Sequence, residues 1–207
     1  MSLRFSRNTF FMFLLAGPTL ASAASLSVDV SDGSGAPLAD AVIYAEPLSG
    51  QSAPKAMHGA EIEQRKRRFN PLVTVVQVGT EISFPNNDTV KHHVYSFSQP
   101  KVFDLPLYSG KTAAPQLFDK VGTVVLGCNI HDQMIAYVEV VDTPFFAKTD
   151  VAGKARLEGL APGKYALKAW HYNLPISTPF VAQNLTMIGG DGSATFKLDL
   201  KPGATAK

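Results

Sequence analysis

Cysteine is almost missing from this 207-residue chain. Cys128 stands alone, so no internal disulfide braces the fold and the apolar core must hold it together. An excess of either charge is missing as well: Lys and Arg number 19 against 17 Asp and Glu, and setting aside Arg4 and Arg7 leaves 17 of each. A neutral chain lacks the basic face that a nucleic-acid binder needs. Long apolar runs are also absent. The run over residues 10–16 stops at Gly17-Pro18, well short of the ~20 residues of a membrane span. What remains is 45% hydrophobic residues, 17% charged, 16 Gly and 14 Pro. That is too apolar for a disordered chain and too short for a large multidomain enzyme. It suits one large β domain or two small ones.

Arg4 and Arg7 precede that short apolar run, and Ala21-Ser22-Ala23 follows as an A-x-A cleavage signal. Residues 1–23 therefore read as a secretory signal peptide, with a mature chain from about Ala24, exported to a periplasm and free of any membrane span. Val125-Leu126-Gly127-Cys128 has the look of a lipoprotein cleavage box, but it falls a hundred residues too late and behind charged sequence. A lone cysteine in an oxidising compartment is either a buried small hydrophobe or a thiolate protected by a metal.

Strand signals fill the mature chain. Residues 26–30 alternate, residues 41–45 are apolar, and residues 72–78 and 82–84 flank a turn at Gly79-Thr80. Residues 121–126 and 135–141 are apolar runs that bracket the cysteine. Further runs follow at 155–157, 165–170, 180–187 and 194–200. Turn clusters separate them at 32–35, 150–153, 161–163 and 189–192. No long helical period follows the leader, so the expected class is all-β, built as β-sandwiches. Residues 61–143 hold three of the five His, the Cys and a methionine loop, whereas the flanks carry regular strands and no chemical cluster. Arg65-Lys66-Arg67-Arg68 reads first as a solvated strand edge guarded against pairing, and second as a docking patch for an acidic partner.

Cys128-Asn129-Ile130-His131-Asp132-Gln133-Met134 is a C-x2-H-x2-M loop between two strands. A soft thiolate, an imidazole and a weak thioether on one short loop favour copper over zinc or hard cations. The upstream loop at 84–94 ends in His92-His93 and offers a further imidazole. Cys, two His and Met make the donor set of a trigonal copper site with a weak axial sulfur. Such a site has no open position for a substrate, so electron transfer fits it better than catalysis. Cys128 and His131 as nucleophile and base lack an evident orienting group or oxyanion stabiliser. Asn129, Asp132 and Gln133 read as loop surface, Ile130 and Ile135 as apolar neighbours that tune the site, and His58 and His171 as surface or satisfied core histidines.

Residues 61–143 resemble a cupredoxin, the small blue copper carriers such as amicyanin and plastocyanin, and are also similar to exported proteins of the methylamine-utilisation type. Gly122 stands six residues before Cys128, as in the family's G-x5-C strand. The C-x2-H-x2-M spacing is the short amicyanin-like ligand loop, closed by Tyr137-Val138-Glu139-Val140. Val78-Gly79-Thr80-Glu81-Ile82-Ser83-Phe84-Pro85-Asn86 is similar to the V-x-G-x-x-V-x-F-x-N run, with its Val and Gly adjacent here, and the first histidine follows six residues after that Asn. The resemblance implies a Greek-key β-sandwich with one type 1 copper ion, equatorial ligands His92, Cys128 and His131, and Met134 axial. Counting from Asn86 selects His92, counting from Asn87 selects His93, and both registers stand, with His92 favoured. The family usually has Asn after that first histidine, where this chain has His93.

Residues 25–47, with Lys148-Thr149-Asp150-Val151-Ala152-Gly153 and Leu157-Glu158-Gly159-Leu160-Ala161-Pro162-Gly163-Lys164-Tyr165, resemble a carboxypeptidase regulatory-like, transthyretin-type β-sandwich whose parts normally run on together. Here about a hundred residues separate them. The expected organisation is a flanking sandwich of residues 24–60 plus 144–201, with the copper domain, residues 61–143, inserted in or adjacent to it. Two strand signals before the insert and five after it sum to seven strands. Trp170-His171-Tyr172 reads first as aromatic packing, and second as a platform for carbohydrate or a partner. The expected function is non-enzymatic: a periplasmic copper protein passing single electrons between redox partner proteins. Copper delivery or storage by the same ligands, and a structural module with a vestigial site, are the alternatives.

Overall fold

A computed structural model describes residues 24–50, 59–110, 114–175 and 177–201. The leader assigned to residues 1–23 and His58 lie outside the described residues. Among those described there are 17 strands and no helix, so the chain is all-β. None of its elements is a helix long and apolar enough to cross a membrane.

The strands fall in chain order as β1 (Ala24–Asp32), β2 (Val42–Pro47), β3 (Ala60–Glu61), β4 (Glu63–Arg65), β5 (Arg68–Asn70), β6 (Val73–Gln77) and β7 (Thr80–Ser83). Next come β8 (His92–Ser98), β9 (Lys101–Tyr108), β10 (Gln116–Phe118), β11 (Gly122–Gly127) and β12 (Ile135–Val141). The last five are β13 (Phe146–Lys148), β14 (Lys154–Leu160), β15 (Gly163–Trp170), β16 (Val181–Met187) and β17 (Gly192–Leu198).

The two strands before residue 50 and the five after residue 145 form two sheets, β14-β1-β17 and β13-β2-β15-β16. Alternation dictates which side faces in. On β1 the side chains of Leu26, Val28 and Val30 are buried while Ser27 and Asp29 are exposed. The inward residues of both sheets meet in one core with Ile43, Ala45, Leu157, Leu160, Leu167, Phe196 and Leu198.

Gly153 in the turn at 150–153 is forced. Its φ is +71°, and a Cβ there would lie 2.4 Å from the Val30 carbonyl oxygen and 3.0 Å from the Leu38 nitrogen. Both are backbone atoms of the facing segment, which has no rotamer with which to yield. Gly153→Ala is expected to lower unfolding stability by ~2 kcal/mol or more, read from the denaturant midpoint. An unchanged midpoint would contradict this packing.

Residues 60–141 build a second unit around a separate core. A five-stranded sheet, β6-β12-β11-β8-β9, faces the short sheet β10-β7-β3, and the hairpin β4–β5 closes one end. Ile62, Phe69, Val76, Ile82, Phe84, Val94, Phe118, Val124, Leu126, Ala136 and Val138 fill the space between, together with Cys128 and Met134. β12 pairs antiparallel with β11 and parallel with β6, so it runs through the sheet interior.

The two cores meet through a third, smaller one. Val42, Tyr44, Val73, Val141 and Trp170 are buried there, with Tyr137 and Tyr172 stacked beside them at 5.0 Å between ring centroids. This is why β2 reads as a continuous apolar run: Ile43 and Ala45 face its own sandwich, and Val42 and Tyr44 face the other unit. Lys148 Nζ ties the junction, reaching Asp40 Oδ1 at 2.7 Å and the Val73 carbonyl at 3.1 Å.

Candidate metal centre

Two loops at the same end of the five-stranded sheet supply the chemistry. Residues 128–134 connect β11 to β12, and residues 84–91 lead into β8. The first loop is a pair of tight turns, with the Met134 N–H donating to the His131 carbonyl at 2.9 Å and the Ile135 N–H to the Gln133 carbonyl at 3.2 Å. Immediately before it, the Tyr95 ring lies against Gly127, where a Cβ would sit 2.7 Å from the ring. A side chain at 127 would have to push that ring aside, next to Cys128.

The second loop is stapled by Asn86, which is buried. Its Nδ2 donates to the Val90 carbonyl at 2.9 Å and the Tyr108 carbonyl at 2.8 Å, and its Oδ1 accepts from the Asp88 N–H at 3.0 Å. The backbones of Asn86 and Gly110 exchange two further hydrogen bonds. Beneath it the Tyr108 hydroxyl donates to the Phe84 carbonyl at 2.5 Å, and Gln64 Nε2 bonds both Tyr108 and Phe84. Burial, foremost, pushes the Tyr108 phenol up to about 12.

The outcome is a cluster of three donors. The ligand atoms of His92, Cys128 and His131 all lie within 4.8 Å of one another. Cys128 Sγ is 3.9 Å from His131 Nδ1, and the two imidazoles meet edge to face with centroids 5.0 Å apart. His92 and Cys128 are buried and His131 is half-buried, so one imidazole alone reaches the surface. Met134 is buried within the same apolar cluster as Cys128. Asn129, Asp132 and Gln133 are exposed, and so are Ile130 and Ile135 on either side of His131.

His93 does not join the cluster. The pairing of β8 with β9 slips between His92 and Val94, a bulge in the place where two adjacent histidines would otherwise take opposite faces. His93 Nε2 instead meets Asp104 Oδ1 at 2.5 Å on the outer side of the sheet. His171 is buried far along the chain, its Nδ1 accepting the Asn173 N–H at 3.2 Å, a satisfied core histidine.

The donors fit copper on their chemistry: one thiol and two imidazoles, shielded by Phe84, Leu126 and Val94, are the soft-to-borderline set that copper selects. A second sign is that His92 Nδ1 is buried with no hydrogen-bond partner; His93 Nδ1 is in the same state, so the sign counts only together with the thiol and imidazole that converge beside His92. A bare lone pair in a dry site is costly unless something takes it.

One residue of the site has no signature in the sequence pattern. Asp88 Oδ2 lies 2.9 Å from His92 Nε2 and accepts the Arg67 N–H at 2.7 Å, and these bonds, the Arg67 one foremost, hold its carboxyl down to about 2. An acid four residues before a histidine is a familiar pairing on a helix. In a loop no spacing rule announces it.

No protein-family profile matches the chain. No curated protein matches it either. Among solved structures it is similar to a purple cupredoxin from Nitrosopumilus maritimus, with TM-score 0.36 and 23% identity over 40% of this chain and 99% of that one. An amicyanin variant in its reduced Cu(I) form matches with TM-score 0.37 and 20% identity, over 47% of this chain and 99% of that one. A copper-containing nitrite reductase from Thermus scotoductus matches with TM-score 0.39 and 21% identity, over 46% of this chain and 25% of that one.

Proposed function

We propose that this chain is an exported type 1 copper protein of the cupredoxin kind that passes single electrons between partner proteins, with His92, Cys128, His131 and Met134 holding one copper ion. The observation that carries the reading is the convergence of one thiol and two imidazoles within 4.8 Å, from two separate loops, at a buried position. Copper, when bound, supplies a one-electron couple between Cu(II) and Cu(I). Cys128 supplies the soft thiolate and His92 and His131 the borderline nitrogens, a set that serves both oxidation states. The apolar wall of Phe84, Val94 and Leu126 excludes water, and the Asn86 staple holds the two loops still, so little has to move as charge changes. His131 is the donor nearest solvent, ringed by exposed Ile130 and Ile135, which makes its imidazole edge the natural entry for an electron.

The same proposal divides the chain into a copper domain over residues 61–143 and a flanking sandwich of residues 24–60 plus 144–201 that positions it. The leader over residues 1–23 supports export to a periplasm.

The test is the absorption and EPR spectrum of the chain from Ala24 loaded with Cu(II), followed by reduction and reoxidation. An intense visible thiolate band with narrow copper hyperfine splitting, cycling reversibly, is expected. His92→Ala should bleach it and His93→Ala should leave it. Bleaching by His93→Ala alone would reverse that assignment. Cu(I) that passes readily to a chelator would favour copper delivery or storage instead, and a colourless protein would overturn the carrier.

A further inference from the structure

We propose that Asp88 is a positioning residue for the metal site: its carboxylate accepts the Nε2 proton of His92 and so locks that imidazole in the tautomer whose free lone pair is on Nδ1. This deepens the carrier reading and rests on His92 being a ligand.

The argument begins with hydrogen-bond inventory. An ionised carboxylate only accepts, so a ring nitrogen 2.9 Å from it must carry the hydrogen. A neutral imidazole has one N–H, which leaves Nδ1 bare, and Nδ1 is the atom found buried with no partner. Left alone, a neutral imidazole exchanges between two tautomers, and only one presents a lone pair at a given nitrogen. A fixed acceptor on the far side of the ring removes the choice and makes the ligating nitrogen a stronger donor.

Asp88 is itself fixed from two directions. Its Oδ2 also accepts the Arg67 N–H at 2.7 Å, from the tip of the β4–β5 hairpin, and its own N–H donates to Asn86 Oδ1 at 3.0 Å. Its side chain is only 15% exposed. At the hairpin tip Lys66 and Arg67 both have positive φ, at 54° and 55°, a turn usually given to Asn-Gly. Asp88 thus joins a strained basic tip to the imidazole. His93 has the same pairing, Nε2 to Asp104 with Nδ1 buried and unpartnered, but Asp104 is 66% exposed and no other donor among the described residues faces that ring. The shielded acid and the converging thiol and imidazole are what set His92 apart.

The first measurement is made without metal, on the full mature chain labelled with nitrogen-15 at histidine, at pH 8, by long-range proton–nitrogen correlation. Wild-type His92 should be the Nε2–H tautomer. Asp88→Ala should give a mixture of tautomers and weaken Cu(II) binding 10- to 100-fold, about the range expected for an outer partner of a ligand. Asp88→Asn keeps an acceptor oxygen without charge and should restore the tautomer. Because the carboxylate favours the more positive ion, the Cu(II)/Cu(I) potential should still rise in Asp88→Asn, by about 59 mV for each tenfold loss of Cu(II) over Cu(I) affinity. Asp104→Ala should leave the His92 tautomer as it is.

Should Asp88→Ala fail to fold because the hairpin tip is released, Lys66→Asn with Arg67→Gly supplies a turn that holds itself. In that background folding should return while the His92 tautomer stays mixed. An Nδ1–H wild type, an Asp88→Ala variant with unchanged tautomer and affinity, or full Cu(II) affinity regained by the Asn-Gly tip would each overturn the proposal. A wild type that binds no copper sinks the carrier reading, while the metal-free tautomer still decides the role of Asp88.

Discussion

Cys128→Ser is expected to give a folded protein whose copper-loaded form has no visible thiolate band at all. The substitution exchanges the soft donor for a hydroxyl that stays protonated and is a poor partner for Cu(I), leaving two imidazoles and a buried thioether. Cys128 is only 3% exposed, so the new hydroxyl is buried, and His131 Nδ1 lies 3.9 Å from the sulfur it replaces. A buried hydroxyl without a good partner costs ~1–3 kcal/mol. A core that includes Phe84, Phe118, Leu126 and Val138 absorbs that loss, and the unfolding midpoint should drop without the transition vanishing. Absorption, Cu(I) competition with a chelator and a denaturation curve on the same sample separate loss of ligand from loss of fold. A variant that keeps the band would remove Cys128 from the site.

A second large effect is expected at the junction of the two units, in the pH dependence of stability of the metal-free protein. Glu139 projects from the outer face of β12 into a cleft of about 760 Å³ that Tyr44, Glu46 and Lys168 line from the other side. Burial raises its carboxyl from 4.5 to about 7, against the opposing pull of the Thr123 hydroxyl, which donates at 2.6 Å. Between 4.5 and about 7 the unfolded chain gives up this proton while the native one keeps it, so stability falls as pH rises, by about 3 kcal/mol in full.

His171 acts in the other direction. Burial lowers it from 6.5 to about 4, so between those values the unfolded chain gains a proton that the native one refuses, and stability falls as pH drops. The two slopes oppose and nearly cancel where they overlap. Glu139→Gln should therefore expose a stability that climbs by about 3 kcal/mol from pH 4 to 6.5, and should exceed the wild type above pH 7. His171→Asn should leave only the decline from pH 4.5 to 7. Urea unfolding across that range reads both. A Glu139→Gln profile that overlays the wild type would mean the carboxylate is not shielded as described.

Much of this was legible in the sequence because it is local. The spacing of Cys128, His131 and Met134 fits one turn-rich loop, and the alternation at 26–30 and the apolar runs at 121–126 and 135–141 announce their strands. Three features escaped for physical reasons. β9 carries Pro106 and an exposed Val102, so it lacks a clean strand signature, and it is tolerated because it is the outer strand of its sheet. Glu139 reads as the polar member of an alternating strand. It is buried because another unit packs over that face, which no period in its own segment encodes. Asp88 meets His92 through a loop whose course depends on Asn86, Tyr108 and the hairpin tip, contacts spread over more than forty residues of chain. In the sequence Asn86 points to His92 and Asn87 to His93, and the bulge on β8 that separates the two histidines is a feature of pairing rather than of composition.

The junction between β2 and β13 has a consequence for how the chain comes together in time. These strands lie side by side, Tyr44 opposite Phe146, although a hundred residues intervene. β1 and β2 are made before residues 60–141, yet their partners β13, β14, β15 and β17 are made after them. Thr149 closes onto the Leu38 carbonyl across 111 residues. Joining the ends of so long a loop from a random chain is entropically slow. Collapse of residues 60–141 around their own core would shorten that search, since the segment leaves and re-enters at neighbouring strands. The early strands would then wait, with Leu26, Val28 and Ile43 uncovered, and the order of assembly would run from the middle outward. Until the C-terminal strands arrive, those first two are a ready site for a chaperone or for aggregation.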